Sequence, residues 1–144
     1  MRAPTRALAV LAVLGLFCLS VPAHAHHRPG PCDLHRGAEE SVRSHARRLI
    51  RCASDRWEVP GGFEKALCIA EAESGLNPST TSQGDEYLGL YQHSAEAWPA
   101  RFEAWTRPAW DLDESALSAR TNAVVTMRMV NSNGWGPWEG VGDC

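Results

Sequence analysis

Lysine is nearly missing from this chain: of 14 basic residues only Lys65 is a lysine, which with abundant alanine and glycine hints at GC-rich coding. Positive charge is also short. The 17 acidic residues outweigh the basic ones, for a net charge of −3 with histidine neutral. That balance excludes the clustered cations by which a protein displaces counterions from nucleic acid or an anionic membrane surface. No two cysteines have C-x-x-C spacing, which sets a structural zinc site aside. There is no internal repeat and no low-complexity segment.

Only one apolar run is long, residues 7–21, and it is short for a permanent membrane span. Met1-Arg2 to Arg6 precede it and Pro22-Ala23-His24-Ala25 follow it, the order of a secretory signal peptide cleaved after Ala25. Cys18 follows Leu16-Phe17, without the small residue that a lipoprotein box requires before its cysteine. The expected product is therefore secreted, extracellular or associated with a cell wall, with no stable membrane anchor. It comprises residues 26–144 as a lead-in (26–40) and one domain (41–144). Loss of Arg2 and Arg6 leaves 12 basic against 17 acidic residues, a net charge of −5.

Four cysteines remain: Cys32, Cys52, Cys68 and Cys144. An even number in a short exported chain predicts two disulfides, for which three pairings are open. His24, His26, His27 and His35 lack helical spacing and read as a solvated terminus, so no metal is expected.

Residues 41–57 carry Val42, Ala46, Leu49, Ile50, Ala53 and Trp57 at helical spacing, and Pro60-Gly61-Gly62 ends the run. Arg43, Arg47, Arg48 and Arg51 are interleaved with Glu39, Glu40, Asp55 and Glu58, a solvated mixed-charge face. A second helix starts at Phe63, and Phe63, Ala66, Leu67, Ile69 and Ala70 mark its buried side. Gly75 suits the left-handed position after a helix end and Pro78 forbids resumption. Between Ser79 and Gln92, turn residues mix with Tyr87, Leu88, Leu90 and Tyr91, which predicts a short irregular hairpin. Ser94 is expected to cap a helix running to about Trp105, with Pro99 bending it. Asp113 or Ser115 is expected to cap a last helix with Ala116, Ala119, Ala123, Met127 and Val130 on one face, stopped by Asn133-Gly134. Four helices around a small strand region give a mostly helical α+β class.

The block Glu73-Ser74-Gly75-Leu76-Asn77-Pro78 places a carboxylate in the last turn of the second helix, along the edge of its apolar stripe. The macrodipole disfavours a negative charge there, and apolar packing disfavours it further, so the acid form persists to higher pH. Such a group can hand a proton to the leaving oxygen of a glycosidic bond. Glu71, two residues away, points elsewhere. Asp85 and Glu86 follow Gly84 and read as turn residues rather than as a second catalytic carboxylate. Tyr87, Tyr91, Gln92, Trp98 and Trp135 offer the flat surfaces and amides that sugars need, but of these Trp98, like Trp105 and Trp110, reads rather as a packing residue.

The order of Glu73-Ser74-Gly75-x-Asn77-Pro78, then Gly89-Leu90-Tyr91-Gln92, then Gly134-Trp135-Gly136-Pro137-Trp138 and the terminal Cys144 resembles two related groups. One is the soluble lytic transglycosylase domain and the other the actinobacterial resuscitation-promoting factor domain. The match runs from Phe63 to Cys144. The resemblance implies a lysozyme-like fold, no cofactor, and action on the β-1,4 bond between N-acetylmuramic acid and N-acetylglucosamine in peptidoglycan strands. A monomer is expected, with a cell-wall hydrolase as a possible partner protein. Glu73 matches the catalytic glutamate; Gly89, Tyr91 and Gln92 match the segment that lines the cleft, and Trp135 matches a closing loop, with Ser74 and Tyr87 as further substrate-binding candidates. The resemblance further implies a Cys68–Cys144 bridge, leaving Cys32 for Cys52, although Cys68 stands five residues before Glu73 rather than beside it. The near alternative is a simple hydrolytic muramidase; the alternatives of another class are a non-catalytic wall-binding or signalling domain and a disulfide-stapled inhibitor or structural protein.

Overall fold

The computed structural model describes residues 29–144; the expected signal peptide and His26 and His27 lie outside the described residues. Helix α1 spans Val42–Arg56 and starts where the Ser41 hydroxyl accepts a hydrogen bond from the Ser44 N–H, filling one of the orphan donors of the first turn. Its inner stripe, Ala46, Leu49, Ile50 and Ala53, is fully buried. Arg48 pairs with Glu40 at 2.9 Å and Arg47 with Glu71 at 3.1 Å, so the arginine-rich face is neutralised by neighbouring carboxylates.

Helix α2, Gly62–Ser74, buries Phe63, Ala66, Leu67, Ile69 and Ala70, the side expected from spacing. It ends at Gly75, whose φ of 61° a side-chain-bearing residue would resist. Strands β1 (Tyr87–Leu88) and β2 (His93–Ser94) form an antiparallel hairpin, with Tyr87 opposite Ser94 and Leu88 opposite His93. Helix α3 runs Trp98–Trp105 and helix α4 Ala119–Asn133. Three short 3-10 turns, Gln83–Asp85, Pro108–Trp110 and Gly136–Trp138, complete the described elements.

Two expected caps are corrected. Ser94 belongs to β2, and α3 begins only at Trp98, with Pro99 in its first turn, where the missing N–H costs nothing. Asp113 and Ser115 instead hold local turns, accepting from the N–H groups of Ser115 and Leu117. Ser118 caps α4, so Ala116 precedes the helix while remaining buried. Gly134 stops α4 as expected.

Helix α4 is the centre of the molecule: nine of its residues, from Thr121 to Val130, are buried, and it packs against α1 and α3. A helix buried on several sides must find partners for its polar groups. Asn122 donates to the carbonyls of Ala116 and Leu88 and accepts from the Tyr91 N–H, tying α4 to the hairpin.

Both disulfides are present: Cys32–Cys52 and Cys68–Cys144. The first pins the lead-in to α1, and Arg120 reinforces it with a hydrogen bond to the Pro31 carbonyl and an ion pair to Asp33 at 3.2 Å. Residues 29–40 therefore lack helix or strand yet are fastened, with Pro31 and Cys32 buried. The second joins α2 to the last residue of the chain. The fold is a mostly helical α+β domain, and among the described residues no helix is long and apolar enough to cross a membrane.

Candidate active site

Glu73 sits in the last turn of α2, partly buried, and forms one wall of a cleft of about 350 Å³. The hairpin contributes Tyr87, Gln92 and Ser94, α3 contributes Arg101, and the C-terminal 3-10 turn contributes Pro137 and Trp138. Desolvation raises the Glu73 pKa above the usual carboxylate value. The negative end of α2 acts in the same direction. No ion pair offsets either effect: the ion pairs among the described residues involve other carboxylates. A carboxyl group whose acid form is favoured by desolvation, beside an open, polar-lined cleft, is suited to protonating a leaving oxygen.

A larger depression, about 530 Å³, lies elsewhere, lined by Trp98, Phe102, Leu112 and their neighbours. Its carboxylates Glu103, Asp111 and Glu114 are exposed to solvent, so it provides space without a desolvated acid. The smaller cleft is the chemically equipped one.

Of the residues expected beside Glu73, the structure brings Tyr87 and Gln92 to it. Tyr87 is 47% exposed, an open aromatic surface at the rim. The Gln92 amide nitrogen donates to the carbonyls of Thr80 and Gly89 at 3.1 and 2.9 Å, which leaves its side-chain oxygen as the acceptor for a ligand hydroxyl. Gln92 holds a φ of 45°, a left-handed conformation rare for a side-chain-bearing residue.

The other expected contacts are corrected, because their side chains or backbone are committed to packing. Tyr91 is fully buried and donates its hydroxyl to the Ala66 carbonyl on α2 at 2.9 Å. Gly89, with a φ of 80°, lies so close to the Ala116 carbonyl and the Asn122 amide that no Cβ fits. Together they turn the Gly89–Gln92 loop into an anchor between α2 and α4. The Ser74 hydroxyl donates to the carbonyls of Ala70 and Leu90, fastening the hairpin to the end of α2. Trp135 is 6% exposed and donates its indole N–H to the Pro60 carbonyl at 2.7 Å. It closes the core, and Trp138, three residues on and equally buried at 5% exposure, donates to the Tyr91 carbonyl at 2.8 Å while it backs the cleft.

Asp85 and Glu86 are exposed in the turn before β1 and line a neighbouring depression that shares Tyr87 and Ser94 with the Glu73 cleft. Glu71 is engaged with Arg47 on the opposite surface. Trp98 is buried, and Trp105 and Trp110 pack partly buried against the core, in keeping with structural roles.

Sequence reasoning missed Trp138, Pro137 and Arg101 in the cleft, and the buried His93 behind it. The signal for His93 was its place beside Gln92, and for Arg101 a lone charge within the apolar run Trp98-Pro99-Ala100-Arg101-Phe102. Among the described residues no group of three or more His, Cys, Asp or Glu side chains is arranged to hold a metal ion. Comparison with protein-family models, with curated proteins and with solved structures finds no match for this chain.

Proposed function

We propose that the protein is a secreted peptidoglycan-cleaving enzyme with a lysozyme-like fold, a lytic transglycosylase using Glu73 as its one catalytic carboxyl. The observation that carries this reading is a partly buried glutamate, its pKa raised by desolvation, in a polar-lined cleft that no other carboxylate lines. The order of the Glu73, Gly89–Gln92 and Gly134–Trp138 blocks supports it, and the two disulfides fit an oxidising compartment.

In this mechanism Glu73 gives its proton to the oxygen bridging C1 of N-acetylmuramic acid and C4 of N-acetylglucosamine. The C1–O bond breaks, and the electron pair leaves with the now neutral hydroxyl of the departing sugar. Positive charge develops at C1, facing the newly formed Glu73 carboxylate. That carboxylate takes the proton of the muramic 6-hydroxyl as O6 closes on C1. A 1,6-anhydro ring forms, Glu73 is again an acid, and no water is consumed. Tyr87 supplies the exposed aromatic surface for a sugar face, Trp138 backs the cleft wall from the core, and the Gln92 oxygen accepts from a ring hydroxyl.

Hydrolysis is the second reading, favoured by Asp85 and Glu86 in the adjoining depression, where they are close enough in the fold to share two lining residues with the cleft. Product mass separates the two. Incubation with purified cell walls should release muropeptides whose muramic ends are lighter by one water than hydrolytic products, and Glu73→Gln should release none. Release of ordinary reducing ends means hydrolysis. Undiminished release by Glu73→Gln removes the assignment of Glu73, and absence of any release by the intact protein favours a wall-binding or inhibitory role.

A further inference from the structure

Behind the cleft lies a polar chain that the proton transfer does not use. Arg101 Nη1 is 2.8 Å from His93 Nδ1. A guanidinium has donors only, so Nδ1 accepts and the ring proton resides on Nε2. That N–H donates to Thr126 Oγ1 at 2.8 Å, and the Thr126 hydroxyl donates to the Asn122 carbonyl at 2.7 Å. Every hydrogen-bonding group of the chain is then satisfied in one direction only.

His93 is fully buried, with its ring edge-on to Trp98 and Trp138 at centroid distances of 5.1 and 5.4 Å. Burial, with the charge of Arg101, holds its pKa down to about 3, so it stays a neutral acceptor and never repels the guanidinium. The ring and its two indoles thereby fix one edge of Arg101 from the rear. The ion pairs of the described residues join Arg48 and His45 to Glu40, Arg47 to Glu71 and Arg120 to Asp33, and Arg101 takes part in none of them. A cation oriented by a neutral buried partner, lining a cleft and lacking a protein carboxylate, is equipped to receive an anion from outside.

We infer that Arg101 is a specificity residue that receives a carboxylate of the substrate strand, with His93 as its positioning residue. The inference rests on the glycan-cleaving reading and narrows it: the preferred strand is an acidic one. Peptidoglycan strands bear carboxylates on the lactyl ether of the muramic sugar where no peptide is attached, and on the peptide stem where one is. Planar two-point recognition by a guanidinium suits either source. A pairing with the substrate also leaves Glu73 alone, since a guanidinium bound to Glu73 would hold it ionised and remove the acid.

The test is a binding measurement in the Glu73→Gln background, where no turnover intervenes. Three probes are titrated calorimetrically: a peptide-free tetrasaccharide with free lactyl carboxylates, the same tetrasaccharide with those groups reduced to alcohols, and one bearing short acidic peptide stems. The acid or the stem-bearing form should bind about tenfold more tightly than the alcohol, and the ratio should fall to about one on adding Arg101→Gln. Arg101→Lys should keep part of the preference, because it retains charge without the planar fork. Which of the two acidic probes shows the Arg101-dependent gain identifies the source of the carboxylate. Equal binding of all three probes with Arg101 present overturns the inference without recourse to any Arg101 variant. A preference that survives Arg101→Gln overturns it as well. Muropeptide release by the unmodified protein is scored separately, so a failure of carboxylate selection is distinguishable from a failure of the enzymatic reading.

Discussion

Two depressions touch α3, and they show how little volume says about chemistry. The larger, about 530 Å³, has an apolar wall of Trp98, Phe102 and Leu112, and its carboxylates stand out in water. The smaller, about 350 Å³, holds a partly buried glutamate and an oriented arginine. His93 lies between them, packed against Trp98 of the first and Trp138 of the second. Proton transfer depends on a titratable group whose charge the surroundings penalise, and only the smaller cleft supplies one.

The sharpest way to break this contrast is to neutralise a carboxyl in each. Glu73→Gln should lower clearing of purified walls by at least about a hundredfold, the usual scale of a lost general acid. Glu103→Gln and Glu114→Gln should leave the rate within about twofold. A large loss from either of the latter moves the chemistry to the larger depression.

The disulfides sharpen the same contrast in stability. Cys68–Cys144 spans 76 residues and binds α2, which carries Glu73, to the end of the chain that carries Trp138. Cys32–Cys52 spans 20 residues on the side of α1. Loop-closure entropy assigns about 4.5 kcal/mol to the first and about 3 kcal/mol to the second. Denaturant titration of the two double Cys→Ala variants should preserve that order, and only loss of the first should also depress wall clearing in the folded protein.

The shared wall is tested by acid. His93 has its folded-state pKa depressed to about 3, so between that value and its ordinary 6.5 the unfolded chain binds more protons than the native one. Stability attributable to His93 is therefore full at neutral pH and is lost as pH falls, by up to about 1.4 kcal/mol per pH unit. Unfolding free energies measured from pH 7 to 4 should show this slope, and His93→Gln should flatten it. An unchanged slope in the variant places the acid lability elsewhere.

The smallest effect has the opposite sign. The raised pKa of Glu73 means that the native state holds its proton longer than the unfolded chain does. Its contribution to stability is present at low pH and is lost as pH rises through the folded-state value. At pH 7 Glu73→Gln should therefore equal or exceed the parent in stability, by no more than about 0.5 kcal/mol, and the difference should vanish below about pH 4. In the parent, wall clearing should decline on the alkaline side of the same ionisation.

Much of the helical frame was legible because its signals are local. The stripes of α1 and α2, and Gly75 and Gly134 as stops, all lie within a few residues of what they control. The caps of α3 and α4 were misplaced for a related reason: the side-chain oxygens of Ser94, Asp113 and Ser115 have the right chemistry for caps, but each accepts from an N–H in a turn that precedes the helix. Tyr91 and Trp135 were read as cleft residues from their aromatic chemistry and from the resemblance of their motifs. Aromatic side chains with a polar tip serve equally well in a core, provided a buried carbonyl takes the proton, and Ala66 and Pro60 do so here.

By itself the sequence determined where α2 ends, and so that Glu73 stands at a helix terminus on the edge of an apolar stripe; it also supplied the four cysteines. Only the tertiary structure decided which side chains face that carboxyl. The cleft draws on α2, the hairpin, α3 and the final turn, from residue 73 to residue 138. Local spacing sets the direction of a side chain along its own element, whereas desolvation and the choice between Trp135 and Trp138 depend on elements brought together by the packing around α4.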